Sequence, residues 1–323
     1  MLSADVIQGF SSSLLQRNFD QAVESPPCHY EWWQLFCSAH PQVAISAPRG
    51  HAKSTACTLT YLLACLVFRE RKYALLISDT LTQATQFLAD LKKELTDNDK
   101  LINLFGIKGF EKDTEDDVIV LFADGERFRV TARGSEQKLR GLKWDNARPD
   151  LIVCDDLEND EIVMNPERRA KFKRWFYGAL IPCKSVHGIV RIVGTILHED
   201  SLLNNLMPKE FDKWTKRSPL KTWTEKKGPW LAVKYKAHDE SFKHILWETR
   251  YSREWFLDKK QDYTEQGLPD VYSQEFLNEP IDDSVAFFKK ADFRAEGSAD
   301  KNKSINYYIT GDLAISEAER ADY

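Results

Sequence analysis

Residues 42–70 limit the folds available to this chain more than any other segment does, and their sequence is QVAISAPRGHAKSTACTLTYLLACLVFRE. The segment predicts a short apolar strand at 43–46, a tight loop at 47–52, and a long apolar helix that opens with Lys53-Ser54-Thr55. Backbone N–H groups of such a loop and of the helix N-terminus can bind phosphate. A lysine at this place can contact the phosphate oxygens, and the hydroxyl after it can bind Mg²⁺.

The loop departs from the usual phosphate-loop pattern, G-x-x-x-x-G-K-S/T. Ala47 and Ala52 occupy the positions of the two glycines, whereas Gly50 lies inside the loop with Arg49 beside it. The local match therefore leaves two interpretations open, a phosphate-binding loop and an ordinary strand–loop–helix unit. The rest of the chain has to decide between them.

Composition restricts the class of protein. The 323 residues suffice for one large domain or two smaller ones, and 42% hydrophobic with 29% charged residues is typical of a soluble globular chain. Because the net charge is -5, any contact with DNA would be a local basic patch. Six scattered cysteines without a CxxC pair predict reduced thiols. No signal peptide or bilayer-length apolar run is present, which predicts a cytoplasmic protein.

The segments after the loop alternate between strand and helix patterns. KYALLISDT predicts a buried strand and LTQATQFLADLKKEL a helix, and this succession favours a parallel sheet with crossover helices. DVIVLFADG and ERFRVTARG predict two strands joined by a hairpin turn at Asp124-Gly125. The predicted fold is α/β, a mainly parallel sheet with helices on both faces.

The segment DLIVCDDLEND supplies the second group of candidate functional residues. Leu151 to Cys154 is wholly apolar, as expected of a central parallel strand that is buried on both faces. Asp155 and Asp156 follow at its carboxyl end, where ligands bind in open α/β sheets. One carboxylate there could hold the water shell of Mg²⁺, and its neighbour could orient an attacking water. An acidic turn is the alternative, and the upstream loop favours the functional interpretation.

Three other segments allow a functional or a purely structural interpretation. Trp33 and Gln34 could hold adenine, or could pack in a core helix. Thr195, after the buried strand of GIVRIVGTILHEDSLL, could sense the γ-phosphate, or could form a simple turn. Lysine and tryptophan residues interleaved over 209–260 could contact a nucleic-acid backbone, or could be a solvated face over a hydrophobic seam.

These pieces resemble, in the same order, segments of the large terminase subunit of tailed bacteriophages, the motor that packages DNA into proheads. APRGHAKST resembles the Walker A loop of that family. LRGLKW followed by RPDLIVCDDLEND resembles its segment leading into Walker B, and RIVGTILHEDSLL resembles its coupling motif. YSQEFLNEP resembles the stretch that closes the ATPase region, and YITGDLA the first strand of an RNase H-like nuclease. No single motif is specific, but the five in order are.

The resemblance implies a P-loop NTPase fold of the ASCE or RecA-like type. A motor domain would span 1–283, with a small lid-like subdomain at roughly 205–280. A linker at 284–304 would lead to the first strand of a truncated nuclease domain at 305–323, and the natural protein would continue further. Asp312 would bind a nuclease metal in the full-length protein. Because a two-metal nuclease needs several converging carboxylates, this chain is not expected to cut DNA.

Roles for the residues of the loop follow from the same resemblance. Lys53 would contact the β- and γ-phosphates, Ser54 would bind Mg²⁺ with Thr55 in support, and Asp155 would hold Mg²⁺ through its water shell. Arg49 would reach the phosphates from within the loop. The remaining members of the implied ATP-binding set are Trp33, Gln34, Gly50, His51 and Ala52.

Catalytic and coupling roles are implied as well. The family's catalytic base is a glutamate directly after the Walker B aspartate, and here Asp156 occupies that position, with Glu158 as the alternative base. Thr195 would be the coupling residue. Arg140 would be an arginine finger supplied to a neighbouring subunit, an effect worth about 10³–10⁵ in rate. The rivals for the finger are Arg133 and Arg148.

The implied function is an Mg²⁺-dependent ATP-hydrolysing motor that drives double-stranded DNA into a prohead in the host cytoplasm. The implied partners are double-stranded DNA, the portal protein, the small terminase subunit and further copies of the chain in a ring on the portal, although a monomer in solution is compatible with this. Two alternatives stay open: another P-loop ATPase such as a helicase-type enzyme, and a scaffold that binds nucleotide or DNA without turnover.

Overall fold

The apolar runs of the chain become the strands of one sheet in the computed structural model, which describes residues 2–16, 19, 23–209, 215–224 and 228–280. The predicted linker, the predicted nuclease strand and Asp312 lie outside the described residues. The strands are β1 (Gln42–Ser46), β2 (Tyr73–Ser78), β3 (Ile107–Asp113), β4 (Asp117–Phe122), β5 (Arg127–Gly134), β6 (Leu151–Asp155), β7 (Ile189–Gly194), β8 (Thr215–Arg217), β9 (Lys221–Thr224) and β10 (Leu231–Tyr235).

The helices connect these strands and flank the sheet. They are α1 (Ala4–Phe10), α2 (Pro27–Phe36), α3 (Tyr61–Val67), α4 (Leu81–Asp97), α5 (Asp99–Phe105), α6 (Asp160–Met164), α7 (Pro166–Trp175), α8 (Ile181–Cys183), α9 (Leu202–Leu206), α10 (Arg253–Glu265) and α11 (Pro269–Leu277). Three π-helical segments are continuous with α1, α3 and α7, at Ser11–Leu15, Ser54–Thr60 and Phe176–Leu180. No helix in the described part of the chain is long and apolar enough to cross a bilayer.

The strand order within the described residues is β3-β4-β5-β2-β6-β7-β1-β10-β9-β8. The six inner strands, from β5 to β10 in that order, all pair in parallel. Antiparallel strands extend both edges, β4 and β3 beyond β5, and β9 and β8 beyond β10. The prediction of an α/β fold with a mainly parallel sheet is confirmed.

Side chains of the inner strands alternate between two hydrophobic cores, because successive residues of a strand point to opposite faces. In β2, Ala74 and Leu76 belong to the first core, whereas Leu75 and Ile77 belong to the second. Residues of α1 to α5 contribute to the first core, and residues of α6 to α9 contribute to the second. Helices therefore cover both faces of the sheet, as the sequence predicted.

The predicted hairpin is also present. β4 and β5 pair antiparallel, with Val120 opposite Phe128. Gly125, in the turn between them, has a φ of 87°, a conformation that glycine adopts without steric cost. The dipeptide Asp124-Gly125 thus marked the turn correctly.

Residues 205–280, the predicted lid-like region, divide between the sheet and a separate small core. β10 pairs in parallel with β1, with Val43 opposite Leu231, so β8 to β10 extend the central sheet. α10 and α11 instead pack around a third hydrophobic cluster, which includes Phe256, Tyr272 and Phe276. The boundaries of a lid within this region stay a prediction.

Candidate functional site

The carboxyl ends of three neighbouring strands bring the candidate residues together. β7 lies between β1 and β6 and pairs in parallel with both, with Ser46 opposite Gly194 and Asp155 opposite Val193. The loop after β1, Thr195 after β7 and the aspartate pair at the end of β6 therefore meet at one edge of the sheet.

The loop from 47 to 53 turns sharply through two residues with positive φ. Gly50 has a φ of 77° and Ala52 a φ of 52°. The second value is uncommon for a residue with a Cβ atom. Ala52 thus adopts the left-handed conformation at the position where the usual pattern has its second glycine, and the alanine follows the backbone path of that glycine at a steric cost.

Three successive carbonyl oxygens of the loop accept hydrogen bonds from side chains. The Arg49 oxygen accepts from Nδ1 of His51 (3.0 Å), the Gly50 oxygen from the Tyr251 hydroxyl (2.9 Å), and the His51 oxygen from Nε2 of His29 (2.8 Å). The N–H groups of Gly50, His51 and Ala52 bind no acceptor among the described residues. Three donors of the loop are therefore available to an anion.

Lys53 and Ser54 lie where the loop becomes the helical segment Ser54–Thr60. The Lys53 ammonium forms an ion pair with Oδ2 of Asp156, 3.1 Å away. One helical turn after Ser54, the buried Thr58 donates a hydrogen bond of 2.7 Å to Oδ2 of Asp155. The first turns of this helix are thereby tied to both aspartates at the end of β6.

Asp155 is fully buried, and its Oδ1 atom has no hydrogen-bond partner among the described residues. Burial and the negative charge of Asp156 raise the pKa of Asp155 to about 7. Lys53, Thr58 and Ser54 favour the charged form and limit the rise of this pKa. A buried carboxylate oxygen without a partner beside a serine hydroxyl suits a hydrated Mg²⁺ ion, which binds oxygen ligands.

Asp156 connects the ends of all three strands. Its φ is 42°, a left-handed conformation that aspartate tolerates better than most residues. While Oδ2 binds Lys53, Oδ1 accepts the N–H of Thr195 at 3.1 Å. The Thr195 hydroxyl donates in turn to the Ala47 carbonyl at 3.3 Å. Because 45% of the Asp156 side chain stays exposed, its carboxylate can reach a bound water.

Glu158 has a different environment. Its two carboxylate oxygens accept the N–H groups of Leu202 (2.7 Å) and Leu203 (3.0 Å), in the first turn of α9. Burial raises the pKa of Glu158, although these two hydrogen bonds oppose the rise. Both oxygens of this alternative base are thus occupied by a helix N-terminus, whose unpaired N–H groups require acceptors.

Arg49 does not point into the loop. Its guanidinium pairs with Oε1 of Glu275 on α11 at 3.0 Å, and its N–H binds the Glu275 carbonyl at 2.8 Å. The Arg49 side chain is 70% exposed. In this arrangement Arg49 links the loop to α11, and contact with phosphate would require the ion pair to open.

Trp33 and Gln34, predicted together, lie on different faces of α2. Neighbouring helical residues point about 100° apart, so the two side chains leave the helix in different directions. The indole of Trp33 is buried, donates to the Ala56 carbonyl at 2.9 Å, and lines a cavity of about 450 Å³ next to Ala52 and Thr55. Gln34 is exposed and does not line this cavity, so its role beside adenine stays a prediction.

The three candidate arginine fingers differ in their contacts. Arg133 binds Asp116, and Arg148 donates to the Pro182 carbonyl. Arg140 is exposed and makes no hydrogen bond or ion pair with any residue that the structure describes. Of the three, only Arg140 has a guanidinium without a partner among the described residues.

Several residues of the site escaped sequence reasoning. Thr58 could have been found, because it lies one helical turn after Ser54 and so shares its face. Tyr251, Glu275 and Asn278 carry no local signal. Asn278 is fully buried with a φ of 56°, accepts the N–H of Ile196 and donates to the Tyr235 carbonyl, and so joins the ends of β7 and β10.

No model of a protein family and no curated protein sequence matches this chain. Its backbone is similar to the large terminase of bacteriophage HK97, with a TM-score of 0.57 and 14% identity over 88% of this chain and 58% of that one. It is also similar to the large terminase ATPase domain of Thermus phage P74-26, with a TM-score of 0.53 and 15% identity over 77% and 92% of the two chains. The chain therefore has the fold of these domains, and the predicted resemblance is confirmed for the fold.

Proposed function

We propose that this chain is the ATP-hydrolysing motor portion of a phage large terminase, which moves double-stranded DNA into a prohead. One observation carries the proposal. A loop with three free N–H groups, followed by Lys53 and Ser54, lies at the same sheet edge as Asp155 and Asp156. The similarity in fold to solved large terminases supports the same assignment.

ATP binds with its phosphates on the loop. The free N–H groups of Gly50, His51 and Ala52 donate to phosphate oxygens, and the helix N-terminus adds a favourable dipole. Lys53 exchanges its ion pair with Asp156 for the phosphate oxygens. The cavity beside Trp33 adjoins the loop through Ala52 and Thr55, and it takes the adenine and ribose.

Mg²⁺ fits the residues beside the loop. The unpartnered Oδ1 of Asp155 would accept hydrogen bonds from the water shell of the ion, and the Ser54 hydroxyl would be its protein ligand. When bound, Mg²⁺ neutralises charge on the β- and γ-phosphates. Thr58 holds the other oxygen of Asp155, so the carboxylate presents Oδ1 to the site.

Asp156 is the catalytic base. The loss of Lys53 to the phosphates frees Oδ2 of Asp156 to orient and deprotonate the attacking water. Glu158 is the weaker candidate because two backbone N–H groups occupy its oxygens. Thr195 couples hydrolysis to movement, since it contacts Asp156 on one side and the Ala47 carbonyl of the loop on the other.

Arg140 serves a neighbouring subunit as its arginine finger. This role rests on the resemblance of the sequence to the family. The same resemblance is the basis for the proposed partners, which are the portal protein, the small terminase subunit and the DNA. They require a ring of subunits on the portal, so turnover by the isolated chain is slow.

Nucleotide binding and ATP turnover, both with Mg²⁺, test the proposal. The wild-type chain should bind ATP and hydrolyse it, and Lys53→Ala should abolish both. Lys259→Ala is the matched control, because Lys259 is a partly exposed lysine on α10 that pairs only with Asp262 among the described residues. Absence of nucleotide binding by the wild type overturns the proposal.

The second alternative, a nucleotide-binding scaffold, predicts binding without turnover even at high protein concentration and on assembled portal. The finger assignment is tested separately in that assembly. Arg140→Ala should lower turnover there without changing nucleotide affinity, whereas Arg133→Ala should leave turnover unchanged. Full activity of the Arg140→Ala protein in the assembled motor would remove Arg140 from the mechanism.

A further inference from the structure

Two side chains from distant parts of the sequence hold the peptide planes of the phosphate-binding loop. Tyr251, between β10 and α10, donates its hydroxyl to the Gly50 carbonyl at 2.9 Å. His29, on α2, donates Nε2–H to the His51 carbonyl at 2.8 Å. The two contacts fall on consecutive peptide bonds, Gly50–His51 and His51–Ala52.

The geometry of a trans peptide converts these contacts into a constraint on donors. In a planar trans peptide, the C=O of one residue and the N–H of the next point in opposite directions. Anchoring the Gly50 carbonyl therefore fixes the direction of the His51 N–H, and anchoring the His51 carbonyl fixes the Ala52 N–H. Both N–H groups are free of acceptors among the described residues.

The protonation of His29 suits this contact at neutral pH. Burial lowers the pKa of His29 to about 4, so the imidazole is neutral. Since a carbonyl oxygen only accepts, Nε2 must carry the proton. His51 is buried as well, and its Nδ1 donates to the Arg49 carbonyl in the same way. The donors that hold the loop are thus present without any change in charge.

Space around Gly50 shows how closely Tyr251 approaches the loop. A Cβ atom at Gly50 would lie 2.5 Å from the Tyr251 hydroxyl oxygen, well inside van der Waals contact. The positive φ of Gly50 also favours glycine. The one glycine of the loop, Gly50, therefore lies where the Tyr251 side chain contacts the backbone.

We propose that Tyr251 and His29 are positioning residues for the phosphate-binding loop. By holding the Gly50 and His51 carbonyls away from the cradle, they keep two N–H groups directed at phosphate in a loop that lacks the two usual glycines. The inference rests on the proposed function, because it assumes that this loop binds nucleotide phosphate. Prearranged donors bind phosphate without an ordering cost, so the expected effect is on affinity.

The first test is Tyr251→Phe, with binding of a non-hydrolysable ATP analogue, ADP and AMP measured in the presence of Mg²⁺. We expect the affinity for the ATP analogue and ADP to fall about three- to tenfold, the effect of one hydrogen bond, and the affinity for AMP to stay unchanged. Tyr263→Phe is the matched control, because Tyr263 is on α10 and its hydroxyl has no hydrogen-bond partner among the described residues.

The second test uses two variants at His29. His29→Leu removes the donor. It should lower the affinity for the ATP analogue at least as much as Tyr251→Phe does. His29→Gln retains an N–H₂ donor at a similar reach and should recover part of the affinity. Thermal unfolding of each variant shows whether the fold is intact. If the His29 variants do not fold, the result for Tyr251→Phe decides the test, because Tyr251 is only partly buried and its substitution should not prevent folding.

The outcomes separate this inference from the proposed function. If the wild type binds no nucleotide, the proposed function fails. If the wild type binds and Tyr251→Phe binds the ATP analogue equally well, the inference is wrong and the proposed function stands. An equal loss for AMP, ADP and the ATP analogue would also overturn the inference, because it would place the effect in the cavity beside Trp33.

Discussion

The Lys53 ammonium lies 3.1 Å from Oδ2 of Asp156, across two strands, β1 and β6, that are separated by β7. The pair joins the lysine of the loop to the proposed catalytic base. The lysine is largely buried in this arrangement, whereas the aspartate is 45% exposed. In the proposed function, phosphate oxygens and Asp156 compete for the same ammonium, so nucleotide binding would change the surroundings of the proposed base.

Asp156→Asn should separate binding from hydrolysis. We expect ATP turnover to fall by about 10²–10⁴, the usual contribution of a general base. Nucleotide affinity should be retained or increased, because the asparagine no longer holds Lys53 with a negative charge. Turnover assays and equilibrium binding on the same protein make the comparison. Turnover at the wild-type rate would assign the base to another residue.

Glu158→Gln should affect stability rather than turnover. A glutamine has one acceptor oxygen, so either Leu202 or Leu203 loses its partner at the start of α9. A lost buried hydrogen bond costs about 1–3 kcal/mol of unfolding free energy, which denaturant titration can measure. If Glu158→Gln instead leaves stability unchanged and abolishes turnover, Glu158 is the base.

Thr58→Val tests the support of Asp155. Valine has the shape of threonine without the hydroxyl, so Oδ2 of the fully buried Asp155 loses its 2.7 Å hydrogen bond. We expect a loss of about 1–3 kcal/mol in unfolding free energy and a higher Mg²⁺ requirement for turnover. Thr58→Ser keeps the hydroxyl and should lie close to wild type in both measurements. Equal behaviour of the two variants would contradict a role for the hydroxyl.

The raised pKa of Asp155 predicts a pH dependence of stability in the absence of nucleotide and Mg²⁺. The folded protein holds this proton up to a pH of about 7, whereas an unfolded aspartate loses it near about 3.9. The stabilisation from the protonated group is therefore complete below about pH 4 and is lost as the pH rises through about 7.

Denaturant titration of wild type and Asp155→Asn between pH 5 and 8 measures this effect. The stability of the wild type relative to Asp155→Asn should fall with rising pH, at most by about 1.4 kcal/mol per pH unit. Titrating groups far from Asp155 are shared by the two proteins and cancel. A constant difference over this range would show that the pKa of Asp155 is not raised.

The two alanines of the loop should respond oppositely to glycine. Ala52 has a φ of 52°, so Ala52→Gly relieves a strained conformation and should stabilise the protein by about 1 kcal/mol. Ala47 is fully buried and does not have a positive φ. Ala47→Gly should therefore destabilise the protein by about 1 kcal/mol. Thermal unfolding of both variants checks the pair, and a loss of stability on Ala52→Gly would contradict the strain.

Local patterns were sufficient for the parts of the site that lie next to each other in sequence. The apolar run before Ala47 predicted β1, and the run from Leu151 to Cys154 predicted a central strand with Asp155 at its end. Both predictions follow from one rule, because apolar runs of this length form buried parallel strands and the ends of parallel strands share one edge. The same rule placed Thr195 beside them.

The orientation of a side chain could not be predicted from local patterns. Gln34 follows Trp33 in sequence, but the helical twist of α2 directs it to solvent, so it does not line the cavity. Glu158 is only two residues from Asp156, yet its carboxylate caps α9. The separation of two residues in sequence does not show in which direction a side chain points. It also does not show which unpaired N–H groups lie near that side chain in the folded protein.

Periodicity and apolar runs act over a few residues, so the alternation of strands and helices, the loop and the acidic pair could be predicted without the structure. The residues that hold the loop in place could be identified only from the folded chain. Tyr251 and Glu275 reach it from more than half the chain away, and β10 joins β1 although 184 residues separate Ser46 from Leu231 in sequence. Such contacts arise from the packing of whole elements, and no spacing in the chain encodes them.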